Sequence, residues 1–193
     1  MATMYIIAGC NGAGKTTASY TIMPSMYDIQ EYINADEIAA RLSPEKPEAA
    51  AVHASRLMME RLIELLDKDI DFAIETTLAV KLLANIIRRA QANGLKVHLI
   101  YFWLRSPELA FERVLRRVAS GGHMVAQETV FRRYGVSLRN LVNVYIPICD
   151  SWILVDNSDP SSEVIAEGGK GLKTKIINQF LFDKINAQAK GLS

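Results

Sequence analysis

Short apolar runs rich in β-branched residues alternate along the chain with longer stretches whose apolar residues recur every three or four positions. The run MYIIAG (4–9) predicts a strand, and 15–22 the helix that it feeds. DIQEYIN (28–34) is a second strand candidate. Val52, Leu57, Met58, Leu62 and Leu65 follow a helical period through 46–68. FAIET (72–76) predicts a strand, and 79–92 a helix stopped by Asn93-Gly94. KVHLIYFWL (96–104) is too uniformly apolar for a half-exposed strand and predicts a central one covered on both faces. Ser106-Pro107 starts a further helix, with serine as cap and proline in the first turn. SWILVDN (151–157) predicts the last strand, 158–171 a polar, Gly-containing surface loop, and 172–189 a closing helix. This alternation predicts an α/β fold: a parallel sheet of about five strands with helices on both faces.

The 193 residues suit one domain, 1–193, with a core of its own. Half the residues are hydrophobic and 22% are charged, which describes a globular chain. A net charge of +1 gives no overall signature of nucleic-acid or membrane binding. The apolar start breaks at Gly9, too early for a secretory or spanning segment, and no later run is long enough to span. With only Cys10 and Cys149 available for a disulfide, the expectation is a reduced, cytoplasmic protein. His53, His98 and His123 lack the spacing of a zinc site.

GCNGAGKTT, residues 9–17, changes the picture. It fits G-x-x-x-x-G-K-[ST] and stands between a strand and a helix, where a phosphate-binding loop must stand. Gly9, Gly12 and Gly14, with Asn11 and Ala13 between them, let backbone N–H groups turn toward phosphate, and the helix that follows offers its N-terminus. Lys15 can reach the β- and γ-phosphates, the Thr16 hydroxyl can join a Mg²⁺ shell, and Thr17 completes the loop. The loop implies ATP or GTP. GTPase strings N-K-x-D and D-x-x-G are absent, as is the transporter signature L-S-G-G-Q. Asp156 comes too late in the chain for a motor ATPase. A small-molecule kinase remains.

Such a kinase needs a base, a substrate-side group and phosphate-closing cations. Asp36 in INADEIAA follows a strand and opens a helix, so it suits either a general base or an N-cap. Glu37 reads as a solvated first-turn residue. Glu75 ends an apolar strand beside Thr76 and Thr77, where it suits ordering Mg²⁺ waters, binding substrate hydroxyls or capping. Residues 112–140 hold Arg113, Arg116, Arg117, Arg132, Arg133 and Arg139 around Gly121-Gly122, the composition of a hinged arginine lid. Arg116 and Arg139 read as solvated, and His123 either faces phosphate or fills the lid.

GCNGAGKTT, INADEIA, FAIETTLA and RVASGGHMV…RRYGVSLRNL, in that order, resemble the zeta-toxin family of P-loop kinases over about residues 3–157, in its short stand-alone bacterial branch. The resemblance implies a nucleoside-monophosphate-kinase-like fold and use of ATP and Mg²⁺. It implies UDP-N-acetylglucosamine as first candidate acceptor, and an antitoxin-like protein as a conceivable partner. It makes Lys15 the phosphate lysine, Thr16 the Mg²⁺ hydroxyl, Asp36 the base, and Glu75 with Thr76 the substrate-side pair. Arg117 and Arg133 become clamping arginines, and Arg56 an acceptor-facing one. The chain departs from the pattern at Ala126, where the family usually has proline, and at Ser55, where it usually has glycine. It is also shorter than the family's toxins.

These readings converge on a kinase that transfers the γ-phosphoryl group of ATP to a small-molecule hydroxyl, without nucleic acid or membrane. The alternatives are another hydroxylated metabolite as acceptor, or a nucleotide-dependent binding protein with slow hydrolysis.

Overall fold

The computed structural model describes residues 2–21, 29, 31–122 and 124–191. One seven-stranded sheet runs through them in the order β2-β3-β1-β4-β5-β6-β7. Its strands are β1 (Thr3–Ala8), β2 (Glu31–Asn34), β3 (Phe72–Thr76), β4 (Lys96–Trp103), β5 (Ser151–Asp156), β6 (Glu163–Gly169) and β7 (Lys175–Ile176). Strands β1–β5 are mutually parallel, as the alternating pattern predicts. β1 lies at the switch between the β3 and β4 sides, so the loop after β1 opens at the crevice where ligands of such sheets bind.

The helices are α1 (Lys15–Thr21), α2 (Ala35–Leu42), α3 (Pro47–Leu65), α4 (Leu83–Ala92), α5 (Pro107–Ala119), α6 (Gln127–Asn140), a π-helical turn (Leu141–Tyr145), α7 (Ile146–Ile148) and α8 (Gln179–Ala189). Ser106 caps α5 by accepting from the Leu109 N–H, with Pro107 following, as its sequence predicts. α4 stops at Asn93-Gly94, but it begins at Leu83; 79–82 lead into it outside the helix. β1 and β4 are the buried centre, with Met4, Ile6, Ile7, Leu99 and Trp103 essentially inaccessible. The remainder of the 15–22 and 28–34 candidates, residues 22, 28 and 30, lies outside the described residues, as does His123.

The C-terminal part corrects the sequence-based expectation. Residues 158–171 are not a loop throughout, because β6 runs antiparallel beside β5. The segment 172–189 is not helical throughout: β7 pairs with β6, and α8 starts only at Gln179 under an Asn178 cap. Two of the glycines that suggest a loop, Gly168 and Gly169, serve close approach instead. A Cβ on Gly168 would stand 2.6 Å from the Trp152 ring, so only glycine lets β6 pass over that indole.

Candidate active site

The loop 9–14 closes on itself, with the Ala13 N–H bonded to the Cys10 carbonyl at 3.2 Å. It is also clasped from outside. At Gly12 (φ 80°) a Cβ would lie 2.4 Å from the Ala110 carbonyl of α5, and the Asn157 amide donates to the Ala13 carbonyl at 2.7 Å. Arg113 on α5 donates to the carbonyls of Asn157 and Ser158 at 2.7 and 2.8 Å. Loop, α5 and the exit of β5 are therefore one hydrogen-bonded unit. Cys10 is fully enclosed in it, and burial pushes its thiol up to about 11, against the opposing charges of Lys15 and Arg113. It stays an inert thiol at neutral pH.

Glu75 gathers the next layer. It ends β3 in register with Asn34 of β2, and its carboxylate accepts from the Thr16 hydroxyl at 2.9 Å, the Asn34 amide at 3.0 Å and the Tyr32 phenol at 2.5 Å. Lys15 Nζ lies 3.7 Å from its other oxygen and donates to the Cys10 carbonyl at 3.0 Å. Burial, then the negative charge of Glu75 and the bond to it, hold the Tyr32 phenol far above its ordinary value, so it remains a donor. Glu75 thus stands beside the lysine and the Thr16 hydroxyl, at the phosphate end of the site.

Asp36 is not a cap. Asn34 is the N-cap of α2, accepting from the Asp36 N–H at 2.8 Å, and Asp36 sits exposed in the first turn. Its carboxylate is therefore not claimed by the helix terminus. Glu37, expected to be solvated, is half-buried and accepts from the Tyr20 hydroxyl at 2.6 Å.

A cavity of about 710 Å³ joins these groups. Asn11, Gly12, Gly14, Lys15, Thr16 and Thr17 line it from the loop, Asp36 and Glu75 from the strand ends, and Arg113, Arg117, Arg132 and Arg133 from α5 and α6. Its volume lies within the ordinary range for a small-molecule pocket. Arg133 also donates to Asn11 at 3.3 Å. Arg116 is exposed and paired with Glu112 at 2.6 Å, and Arg139 is exposed, as both were read. Thr76 lines the cavity, but its hydroxyl accepts from the Leu78 N–H at 3.1 Å. Gly9 and Ala13 shape the loop from behind the lining. Arg56 is not brought to the cavity: it is exposed on α3, whose lining positions are Ala51, Ser55, Met58, Met59 and Leu62. One residue on from Ser55, Arg56 is turned about 100° around the helix axis from that face.

A sequence model of the zeta toxin family matches residues 2–158, most of the chain. The chain belongs to the zeta toxin family. Among relatives, an uncharacterized protein of Haemophilus influenzae is 32% identical over 126 residues, which is 65% of this chain and 88% of that protein. Among solved structures, the crystal structure of AvrRxo1-ORF1:AvrRxo1-ORF2 with sulphate ions contains a similar chain, at TM-score 0.75 and 16% identity. The match covers 97% of this chain but only 64% of that one, so this zeta toxin family member spans under two thirds of its neighbour's length. The structure of the PezAT toxin–antitoxin system of Streptococcus pneumoniae matches at TM-score 0.69 and 14% identity, covering 100% of this chain and 86% of that chain. At such identities these neighbours establish the fold, that of P-loop kinases.

Sequence reasoning misses Tyr32, Asn34 and Asn157. Asn34 precedes a helix and carries a capping signal, but Tyr32 and Asn157 act through contacts 43 and 144 positions away. No local pattern encodes those.

Proposed function

We propose that this protein transfers the γ-phosphoryl group of ATP to a hydroxyl of a small molecule. The observation that carries this reading is the single cavity in which Asp36, not used as a cap, faces the phosphate loop, Glu75 and the arginines of α5 and α6. The residues fit Mg-ATP: the loop curls where a Cβ would collide, and the Thr16 hydroxyl and Glu75 carboxylate give hard oxygen donors beside it. Bound there, Mg²⁺ supplies charge neutralisation on the β- and γ-phosphates. The loop N–H groups and Lys15 hold the phosphates, while Glu75, oriented by Tyr32 and Asn34, holds Thr16. Asp36 takes the proton of the attacking hydroxyl. Arg117 and Arg133 stabilise charge on the transferring group, and residues 112–140 act as the lid. A related complex, AvrRxo1-ORF1:-ORF2, has been solved with ATP, at TM-score 0.73 and 16% identity, which supports the choice of nucleotide.

UDP-N-acetylglucosamine is the acceptor suggested by the family resemblance. Activity is read as ADP release with Mg-ATP, in the presence and absence of candidate hydroxyl compounds. Lys15→Ala should lower the stimulated rate by about 10²–10³-fold, because it removes a charge aimed at phosphate. Near wild-type turnover in a folded Lys15→Ala protein would refute the reading. A second reading, a nucleotide-dependent binding protein acting through an antitoxin-like partner, is favoured by the toxin–antitoxin system among its structural neighbours. It predicts ATP turnover unmoved by any hydroxylated compound.

A further inference from the structure

The cavity is chemically two-sided. Every cation in its lining belongs to the phosphate loop, α5 or α6. The opposite walls, α3 and the segment 77–83, contribute Met58, Met59, Leu62, Val80, Leu82 and Leu83, with Ser55 and Thr77 as their hydroxyls. The cations these two elements do carry are turned elsewhere. Arg61 is bonded to Glu31 and Glu64 at 2.7 and 2.8 Å, while Arg56 and Lys81 are exposed and outside the lining.

The wall is also built in advance. Leu78 is buried with φ 54°, a conformation that costs a branched side chain free energy and persists only where its surroundings hold it. Those surroundings are Asn140, which donates to the Leu78 carbonyl at 2.7 Å, and Tyr145 of the π-helical turn, whose hydroxyl bonds the Val80 carbonyl. The helix that presents Arg132 and Arg133 to the nucleotide therefore fixes the opposite wall through its C-terminal end.

We infer that the acceptor is a compound whose body is uncharged and carries an apolar face, with its hydroxyl directed to Asp36. This rests on the kinase reading above and narrows its substrate class. A phosphate or carboxylate lodged against α3 and 77–83 would leave water with no lining cation from either element to meet it. An apolar face gains by leaving water there. The diphosphate of a nucleotide sugar finds no partner on these walls.

The test is binding of two matched series, phenyl β-D-glucoside, glucose and glucose 6-phosphate, and uridine, UMP and UDP-N-acetylglucosamine. Each is titrated by calorimetry into the full chain, with and without a non-hydrolysable ATP analogue and Mg²⁺. With the ATP analogue and Mg²⁺ bound, phenyl glucoside and uridine should bind at least about tenfold more tightly than the phosphorylated members of their series. Ala51→Lys, at an exposed helical position where lysine is well tolerated, places a cation on the wall and should shift the preference toward the phosphorylated members. With the analogue bound, the inference is overturned if a phosphorylated member binds best in the wild type, if neither neutral compound binds at millimolar concentration, or if Ala51→Lys leaves the order unchanged. Binding of the ATP analogue with Mg²⁺, titrated alone, judges the kinase reading separately, and the probe titrations without it measure how much of a probe's binding goes to the empty phosphate loop.

Discussion

The phosphate end and the proposed acceptor end of this cavity are built by different means. At the phosphate end the cradle is one continuous stretch of chain, 9–17, whose shape is held by backbone and by three clasps: Ala110, Arg113 and Asn157. At the acceptor end, apolar side chains from α3 and 77–83 meet across a space that neither element defines alone. The phosphates of a nucleotide are the same for every user, so a local backbone cradle serves them all. An acceptor differs from enzyme to enzyme, so its wall is made of side chains that can vary without disturbing the loop. Variants at the two ends should accordingly fail in different ways.

Asp36→Asn should break that separation most sharply. The α2 cap is Asn34, so the substitution leaves the cap intact and removes only a minor first-turn interaction with the helix dipole. The amide cannot accept a proton, and transfer to the acceptor should fall by about 10²–10⁴-fold. ATP binding, measured by calorimetry, should be unchanged. Wild-type transfer rates in Asp36→Asn would remove the base from the mechanism.

Arg133→Ala should act at the phosphate end and more weakly. Its guanidinium reaches Asn11 of the loop, and its side chain is half-buried in the cavity lining. Loss of one charge-stabilising contact costs about 10²-fold in rate when the contact tightens during transfer. The expected signature is a lower kcat with little change in acceptor KM. A purely raised KM for acceptor would move Arg133 to the other end of the cavity.

How much of this was legible follows the same division. The loop, its strand and its helix could be read from nine consecutive residues, and the five parallel strands from the alternation of apolar runs. β6 could not, because Gly168, which permits contact with Trp152, looks in sequence like a glycine that makes a loop. Arg56 was placed toward the acceptor through resemblance alone, whereas the helical period of α3 carries it past the cavity face. That Asp36 does not cap α2 could not be read from spacing, because Asn34 two positions earlier offers a cap as well and is the one bonded to the Asp36 N–H.

Tyr32→Phe is the finest probe, because it touches the hub of the phosphate end without touching nucleotide-facing charge. It removes one of three hydroxyl or amide donors to the buried Glu75 carboxylate and leaves Thr16 and Asn34 in place. Stability should fall by roughly 1 kcal/mol, read from the denaturant midpoint, since Glu75 keeps two donors. Transfer should fall less than tenfold, with a higher Mg²⁺ requirement if Glu75 orients the Thr16 hydroxyl. A pH series isolates the phenol. Burial, with the charge of Glu75, raises its folded value above the ordinary 10.0, so the unfolded chain releases that proton first as pH rises. The unfolded state then binds fewer protons than the folded one, and stability falls through and above about pH 10. Other buried tyrosines, Tyr101, Tyr134 and Tyr145, share this direction, so the wild type should lose stability at high pH in either case. The variant should lose less of it, and the two curves should converge as pH climbs. Parallel curves would mean that Tyr32 does not hold its proton against Glu75, and the hub would lose the donor that orients it.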